Sequence, residues 1–184
     1  MNIFWLDLNP EKNVEAYVDK HVVKMITEYA QLLSSACRLS GVDCGYQLSH
    51  QNHPCAIWCR KSLSNWNYLR KLSAFLYKEY LWRYGENKTH KSFNVIYNLK
   101  SPNIPDIGIT MPPQCMPDIY KCDNLIIAYR NYYIGDKVRI ARWTRRNIPK
   151  WFNYNGVFLP CSNSITNKND KYRINMGRRN RDDK

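Results

Sequence analysis

Apolar residues recur at helical spacing in three long stretches of the chain. Val14, Val18, Val22, Met25, Ile26, Tyr29, Leu32 and Leu33 keep a three-to-four-residue rhythm, which predicts one helix running to about Leu39. Asn9-Pro10 supplies its start, an N-cap acceptor followed by proline at the first helical position, and Gly41 its stop. A second stripe of Ile57, Trp58, Trp66, Leu69, Leu72, Phe75, Leu76 and Tyr80 predicts a helix from Pro54 to a C-terminal cap at Gly85. A short helix follows over Lys91 to Leu99. From Ser101 to Pro117 the chain carries five prolines and no sustained period, as expected of a rigid extended connector rather than a strand. Asp123 is placed to cap a third long helix reaching about Arg146, with Gly135 as a point of disturbance. The expectation is a mainly α fold: one domain over residues 1–161, with three long crossing helices, short helices and a Pro-rich connector. Residues 162–184, polar and poor in apolar positions, are expected to form a basic, flexible tail.

Composition narrows the class. The chain's 184 residues fit one domain, and 44% hydrophobic content is enough for a packed core. No apolar run approaches the roughly 18 residues of a membrane span, and the start does not read as a signal peptide. Seven cysteines, an odd number without framework spacing, read as reduced thiols in a cytoplasmic compartment.

Charge then adds a direction. The net charge is +13, but residues 1–136 hold 15 basic and 12 acidic groups while residues 137–184 hold 13 and 3. Lys137, Arg139, Arg142, Arg145, Arg146 and Lys150 occur with no acid among them, and Trp151, Phe152 and Tyr154 follow at once. Cations bind phosphates and aromatic faces stack on bases, so this run points to nucleic acid. Lys20, Lys24, Arg142, Arg145, Arg146, Lys150, Trp151 and Tyr154 are the candidate contacts. The same pattern also describes a solvated helix face followed by core aromatics.

On the first predicted helix, Asp19, Lys20, His21, Lys24 and Glu28 lie within three turns. His21 and Glu28 are seven apart, which at about 100° per residue puts them on one face. A carboxylate beside cations stays ionised and can stabilise a cationic intermediate or move a proton. Spacing alone favours a surface ion-pair helix.

These residues resemble a known family. Asp19-Lys20-His21 followed by Glu28 is similar to the active-site helix of the phage pyrimidine-dimer DNA glycosylases, the endonuclease V family of the T-even phages. Tyr68-Leu69-Arg70-Lys71, reaching Arg83-Tyr84-Gly85, resembles that family's second helix. Pro149-Lys150-Trp151-Phe152-Asn153-Tyr154-Asn155-Gly156 resembles its C-terminal aromatic segment. The three patches span residues 19–156, with longer intervening segments here. The resemblance implies crossing helices packed by aromatics and duplex DNA gripped by basic residues. It further implies base excision on damaged or modified pyrimidines, coupled to strand cleavage at the abasic (AP) site by lyase action. The nucleophile in that family is the chain's own α-amino group. An α-amine titrates near 7.7–8.0 and a lysine near 10.4, so about a tenth of the former and under roughly a thousandth of the latter is free base at pH 7.

By this resemblance Met1 carries the amine, Glu28 stabilises the iminium and shuttles protons, and His21 orients groups or contacts phosphate. The chain also departs from the family. It begins Met1-Asn2-Ile3 rather than with a small residue and an arginine, and Asn2 is bulky enough that Met1 is expected to stay. Thr27 and Gln31 stand where the family has two arginines. No cofactor and no metal are implied, and a monomer is expected.

Other arrangements remain open. Asn52-His53-Pro54 with Ala56 and Trp58 resembles uncharacterised viral proteins without supplying a function. His50, His53, Cys55 and Cys59, with Cys44 upstream, match no standard zinc spacing; His53 also reads as a helix-entry residue or a DNA-facing one. His90-Lys91 is either a helix start or a phosphate contact. Tyr129, Arg130, Tyr132 and Tyr133 either line a base pocket or pack as core. The alternative functions are a non-enzymatic nucleic-acid-binding protein of the same fold, or an enzyme acting on modified phage bases or nucleotides.

Overall fold

A computed structural model describes residues 1–161; the expected tail, residues 162–184, lies outside the described residues. Six α-helices and two short 3-10 turns are joined by irregular segments, and no strand occurs among the described residues. The mainly α expectation therefore holds, but all three long helices are cut differently from the periodicity.

The first stripe is two helices, α1 (Pro10–Glu15) and α2 (Asp19–Leu39). Asn9 caps α1 by accepting from the amides of Glu11 and Lys12. The break at residues 16–18 exists because other groups claim its carbonyls. Arg83 donates to the carbonyls of Glu15 and Tyr17, and the Trp143 indole donates to that of Ala16 at 2.9 Å. A buried carbonyl left without such a partner would cost about 1–3 kcal/mol.

The second stripe divides at Ser62 into α3 (Pro54–Lys61) and α4 (Leu63–Tyr84). Ser62 is extended (φ −150°, ψ 142°), its hydroxyl donates to Asp106 at 3.0 Å, and Asn65 donates to the carbonyl of Trp58. Polar side chains here compete with the helical ladder. Gly85 does cap α4, at a φ of +115° that favours glycine.

After α5 (Lys91–Tyr97) the connector carries no regular structure over residues 101–115, as its prolines require. A 3-10 turn at Asp118–Tyr120 precedes α6 (Leu125–Asp136), which Asn124 caps rather than Asp123. α6 ends ten residues short of the expected Arg146, and a 3-10 turn at Val138–Ile140 follows. Gly135 does not disturb α6. A Cβ there would stand 2.4 Å from the Tyr120 ring, so glycine provides the notch in which that tyrosine packs.

α2 is the central element, packing against α3, α4 and α5, while α1 lies on α4. The element missed by periodicity is the N-terminal segment. Ile3, Phe4, Trp5 and Leu6 are all buried. Its extended backbone is bonded by side chains: the Asn13 amide and the Tyr17 hydroxyl donate to the carbonyl of Phe4, Arg130 donates to that of Leu6, and Asn13 accepts the Leu6 amide. Phe4 stacks on His21, and Trp5 stacks on Tyr68 with centroids 4.7 Å apart. No helix among the described residues is long and apolar enough to cross a membrane.

Candidate active site

The buried N-terminal segment delivers the start of the chain to α2. The Met1 amine lies 3.9 Å from Glu28 Oε2, and the Asn2 amide donates to the same oxygen at 3.0 Å. Lys24, one turn back, holds Oε1 at 3.3 Å while its own side chain remains exposed. The Met1 side chain is only 4% exposed although the residue as a whole is partly open, so it is the main-chain end that reaches solvent.

Asn2 fixes this position. Its side-chain amide donates to the carbonyl of Cys115 at 2.8 Å, and its oxygen accepts the Tyr129 hydroxyl at 2.9 Å and the Ile3 amide at 2.9 Å. The residue that looks awkward beside the family pattern is thus the clamp that sets the amine.

Met1 opens into a cavity of about 510 Å³ lined by residues that include His53, Cys115, Met116, Lys121 and Tyr132. Lys137 sits over the Tyr132 ring at 4.4 Å. His53 caps α3 by accepting the Cys55 amide through Nδ1 at 3.1 Å. Burial, with the amine and His50 charges, holds its imidazole below the usual histidine range, against a weaker pull from Glu28. Cys55 and Cys115 sulfurs are 3.5 Å apart. Their mutual contact, reinforced by burial, pushes the Cys55 thiol up, while the same contact outweighs burial and brings Cys115 down.

The structure brings together Met1, Glu28 and Lys24 and sets the other predicted residues elsewhere. His21 is buried, bonded through Nδ1 to the Tyr133 hydroxyl at 2.7 Å and stacked on Phe4 at 4.4 Å. Burial, reinforced by Lys137 and Lys24, pushes its imidazole down to about 3. It is therefore neutral near pH 7, and it does not line the cavity. A charged contact to phosphate is not what this environment prepares; orienting α2 against Phe4 and Tyr133 is.

The C-terminal cations gather at the other end of α2. Arg146 forks onto Glu79 at 2.7 Å and reaches Glu15 at 3.1 Å. Arg83, fully buried, joins Glu79 at 2.7 Å to Asp19 at 2.9 Å. Arg145 donates to the carbonyl of Trp82 and adopts a φ of +59°. Arg142 is largely exposed and 3.8 Å from Asp19. Lys20 and Lys150 are exposed, as is Tyr154, whereas Trp151 is half-buried beneath Arg130 at 5.2 Å. Of the tyrosines on α6, Tyr129 and Tyr133 are core and Tyr132 borders the cavity.

Among the remaining candidates, His90 bonds the carbonyl of Val23 at 3.2 Å. Cys59 is fully buried, and the residue that joins His53 and Cys55 is Cys115, from the connector. Asn2, Cys115 and Lys121 are the site residues that sequence reasoning passed over. Only the apolar run Ile3 to Leu6 signalled that the N-terminus is core.

No family profile, curated protein or solved structure matches the chain significantly.

Proposed function

We propose that the chain is a DNA glycosylase with AP-lyase activity, acting on damaged or modified pyrimidines through its N-terminal amine. One observation carries this reading: an α-amine, held by the Asn2 clamp, stands 3.9 Å from a carboxylate at the edge of an open cavity. An α-amine paired with a general acid–base group is the minimum equipment for Schiff-base chemistry at a sugar carbon.

In this reading the neutral amine attacks C1′ of the target nucleotide. The C1′–base bond breaks and its electron pair leaves with the base. Opening of the sugar ring then gives an iminium between the Met1 nitrogen and C1′. Loss of a C2′ proton expels the 3′ phosphate, and water releases the amine. Glu28 faces the cation as it forms and serves the proton transfers. Lys24, Lys121 and Lys137, each paired with a carboxylate, lie beside Glu28, the cavity and Tyr132 and would turn to the flanking phosphates. The target sugar must be turned out of the duplex to meet the amine. Lys20 and Lys150, both exposed, are further cations for phosphate contacts, whereas Arg142 sits by Asp19 on the other face of α2.

Borohydride trapping on duplex DNA containing an abasic site tests the reading. A covalent adduct is expected, and it should vanish when the N-terminus is acetylated or extended by one residue. No adduct with intact protein would sink the mechanism and leave a nucleic-acid-binding protein without this chemistry, and an adduct indifferent to Glu28→Gln would overturn the acid–base role given to Glu28.

A further inference from the structure

Beside the amine lies a second cluster to which the proposed reaction assigns no role. His53, Cys55 and Cys115 each bring one ligand atom, and these atoms lie within 4.8 Å of one another. We propose that this cluster is a binding site for a soft divalent cation of the zinc class, held by two thiolates and one imidazole. The inference stands on its own donors and does not depend on the glycosylase reading.

The donor set selects the class of ion. Thiolate and imidazole suit zinc and its neighbours, whereas magnesium and calcium require oxygen ligands. The spacing fits as well. Sulfurs each about 2.3 Å from a tetrahedral zinc stand roughly 3.8 Å apart, and those of Cys55 and Cys115 are 3.5 Å apart before any ion enters. The two sulfurs therefore need move apart by only a few tenths of an ångström, and the imidazole, within 4.8 Å of both, closes on the ion by turning its side chain.

The donors are also held in place by contacts that serve other purposes. His53 and Cys55 are fixed by the start of α3, where Pro54 sets the backbone. The carbonyl of Cys115 accepts from the Asn2 side chain, and its amide is 3.4 Å from the Tyr129 hydroxyl. Two segments sixty residues apart thus present thiols to each other without a disulfide, since all the cysteines are free. Binding releases the two thiol protons to solvent and involves no change of oxidation state. Coordination through His53 Nδ1 would replace its bond from the Cys55 amide, a loss of roughly one hydrogen bond against two metal–thiolate bonds. Three protein donors leave a fourth position, and the cavity that His53 and Cys115 share with Met1 borders it. That is the pattern of an open rather than a closed site.

In the sequence His50, His53, Cys55 and Cys59 are grouped, but in no standard zinc spacing. Cys59 is buried among other groups, and Cys115, donated by the connector, takes the place beside Cys55.

The test uses the full chain, stripped of metal and kept reduced by a phosphine, titrated with cobalt(II) and then displaced with zinc. One equivalent of cobalt should give a thiolate-to-cobalt charge-transfer band that zinc abolishes. Cys115→Ser should weaken binding by more than the roughly 10–100-fold that a supporting group would cost, with an unchanged far-ultraviolet circular dichroism spectrum. His53→Ala should weaken it too, and Cys44→Ser, outside the cluster, should leave it intact. If the intact protein, with both thiols shown free by a thiol reagent, gives no band, the site does not exist. A band unaffected by Cys115→Ser in a folded variant would overturn it equally.

Discussion

Asp19 and Glu28 share helix α2, nine residues apart and so on roughly opposite faces, and their charges are met in opposite ways. Asp19 is closed in. Its carboxylate accepts from Arg83 at 2.9 Å and from the Thr144 amide and hydroxyl at 2.9 and 2.8 Å. Burial opposes its ionisation, but these bonds outweigh it and hold the carboxyl below the usual carboxylate range. Glu28 faces the amine of Met1, which lines a cavity, and an exposed lysine. One carboxylate ends in a saturated ion network, and the other retains a partner that can react. Two carboxylates on one helix thus differ by what their neighbours leave undone: the one at its start is fully engaged, and the one at its middle keeps an amine beside it.

Substitutions can break this contrast. The largest effect on chemistry is expected from Glu28→Gln, which should cut trapping of abasic-site DNA by about 10²–10⁴-fold while leaving the denaturation midpoint nearly unmoved. Glu79→Ala should do the reverse. It leaves buried Arg83 without its partner at 2.7 Å, a loss of about 3–5 kcal/mol in urea unfolding, with the trapping rate per folded molecule unchanged. A large drop in that rate would mean the network positions the amine after all.

Asn2→Leu is a finer probe, because leucine is bulky enough to keep Met1 but cannot hold Cys115 or Tyr129. A displacement of about 1 Å at the nucleophile can cost about 10²-fold, so trapping should fall by that order with little change in DNA affinity.

The smallest expected effect is on pH dependence. His21 titrates at about 3 in the fold against 6.5 ordinarily. Between these values the unfolded chain binds a proton that the folded chain does not, so stability is full above about pH 6.5 and declines as pH falls. From pH 7 to pH 5 the loss should be about 2 kcal/mol, measured as a shift in urea midpoint. His21→Gln should flatten that slope, while the steeper loss below about pH 4, where Asp19 takes up its proton, should persist.

The mainly α class, the cap at Asn9 and the stop at Gly85 were legible because they depend on local residues. The breaks at residues 16–18 and at Ser62 were not, since each is made by distant groups: Arg83 and Trp143 for one, Asp106 for the other. The site divides the same way. Helical spacing sets Lys24 beside Glu28, but the role of Glu28 came from the family resemblance, whereas Cys115 and Lys121 sit on or beside a proline-rich segment whose period carries no message. The fate of the C-terminal arginines was hidden too. Charge counts do not reveal that Arg146 is engaged by Glu79 and Glu15.

The clamp on Asn2 also fixes when the site can exist. Its side chain is held by Cys115 and Tyr129, partners 113 and 127 positions downstream. A ribosome must therefore release most of the domain before that clamp can close, although Asn13, Tyr17 and Tyr68 offer the neighbouring residues contacts earlier. Closing so long a loop is costly in entropy, so the last restraint on this terminus depends on a segment made far later than the helix that carries Glu28.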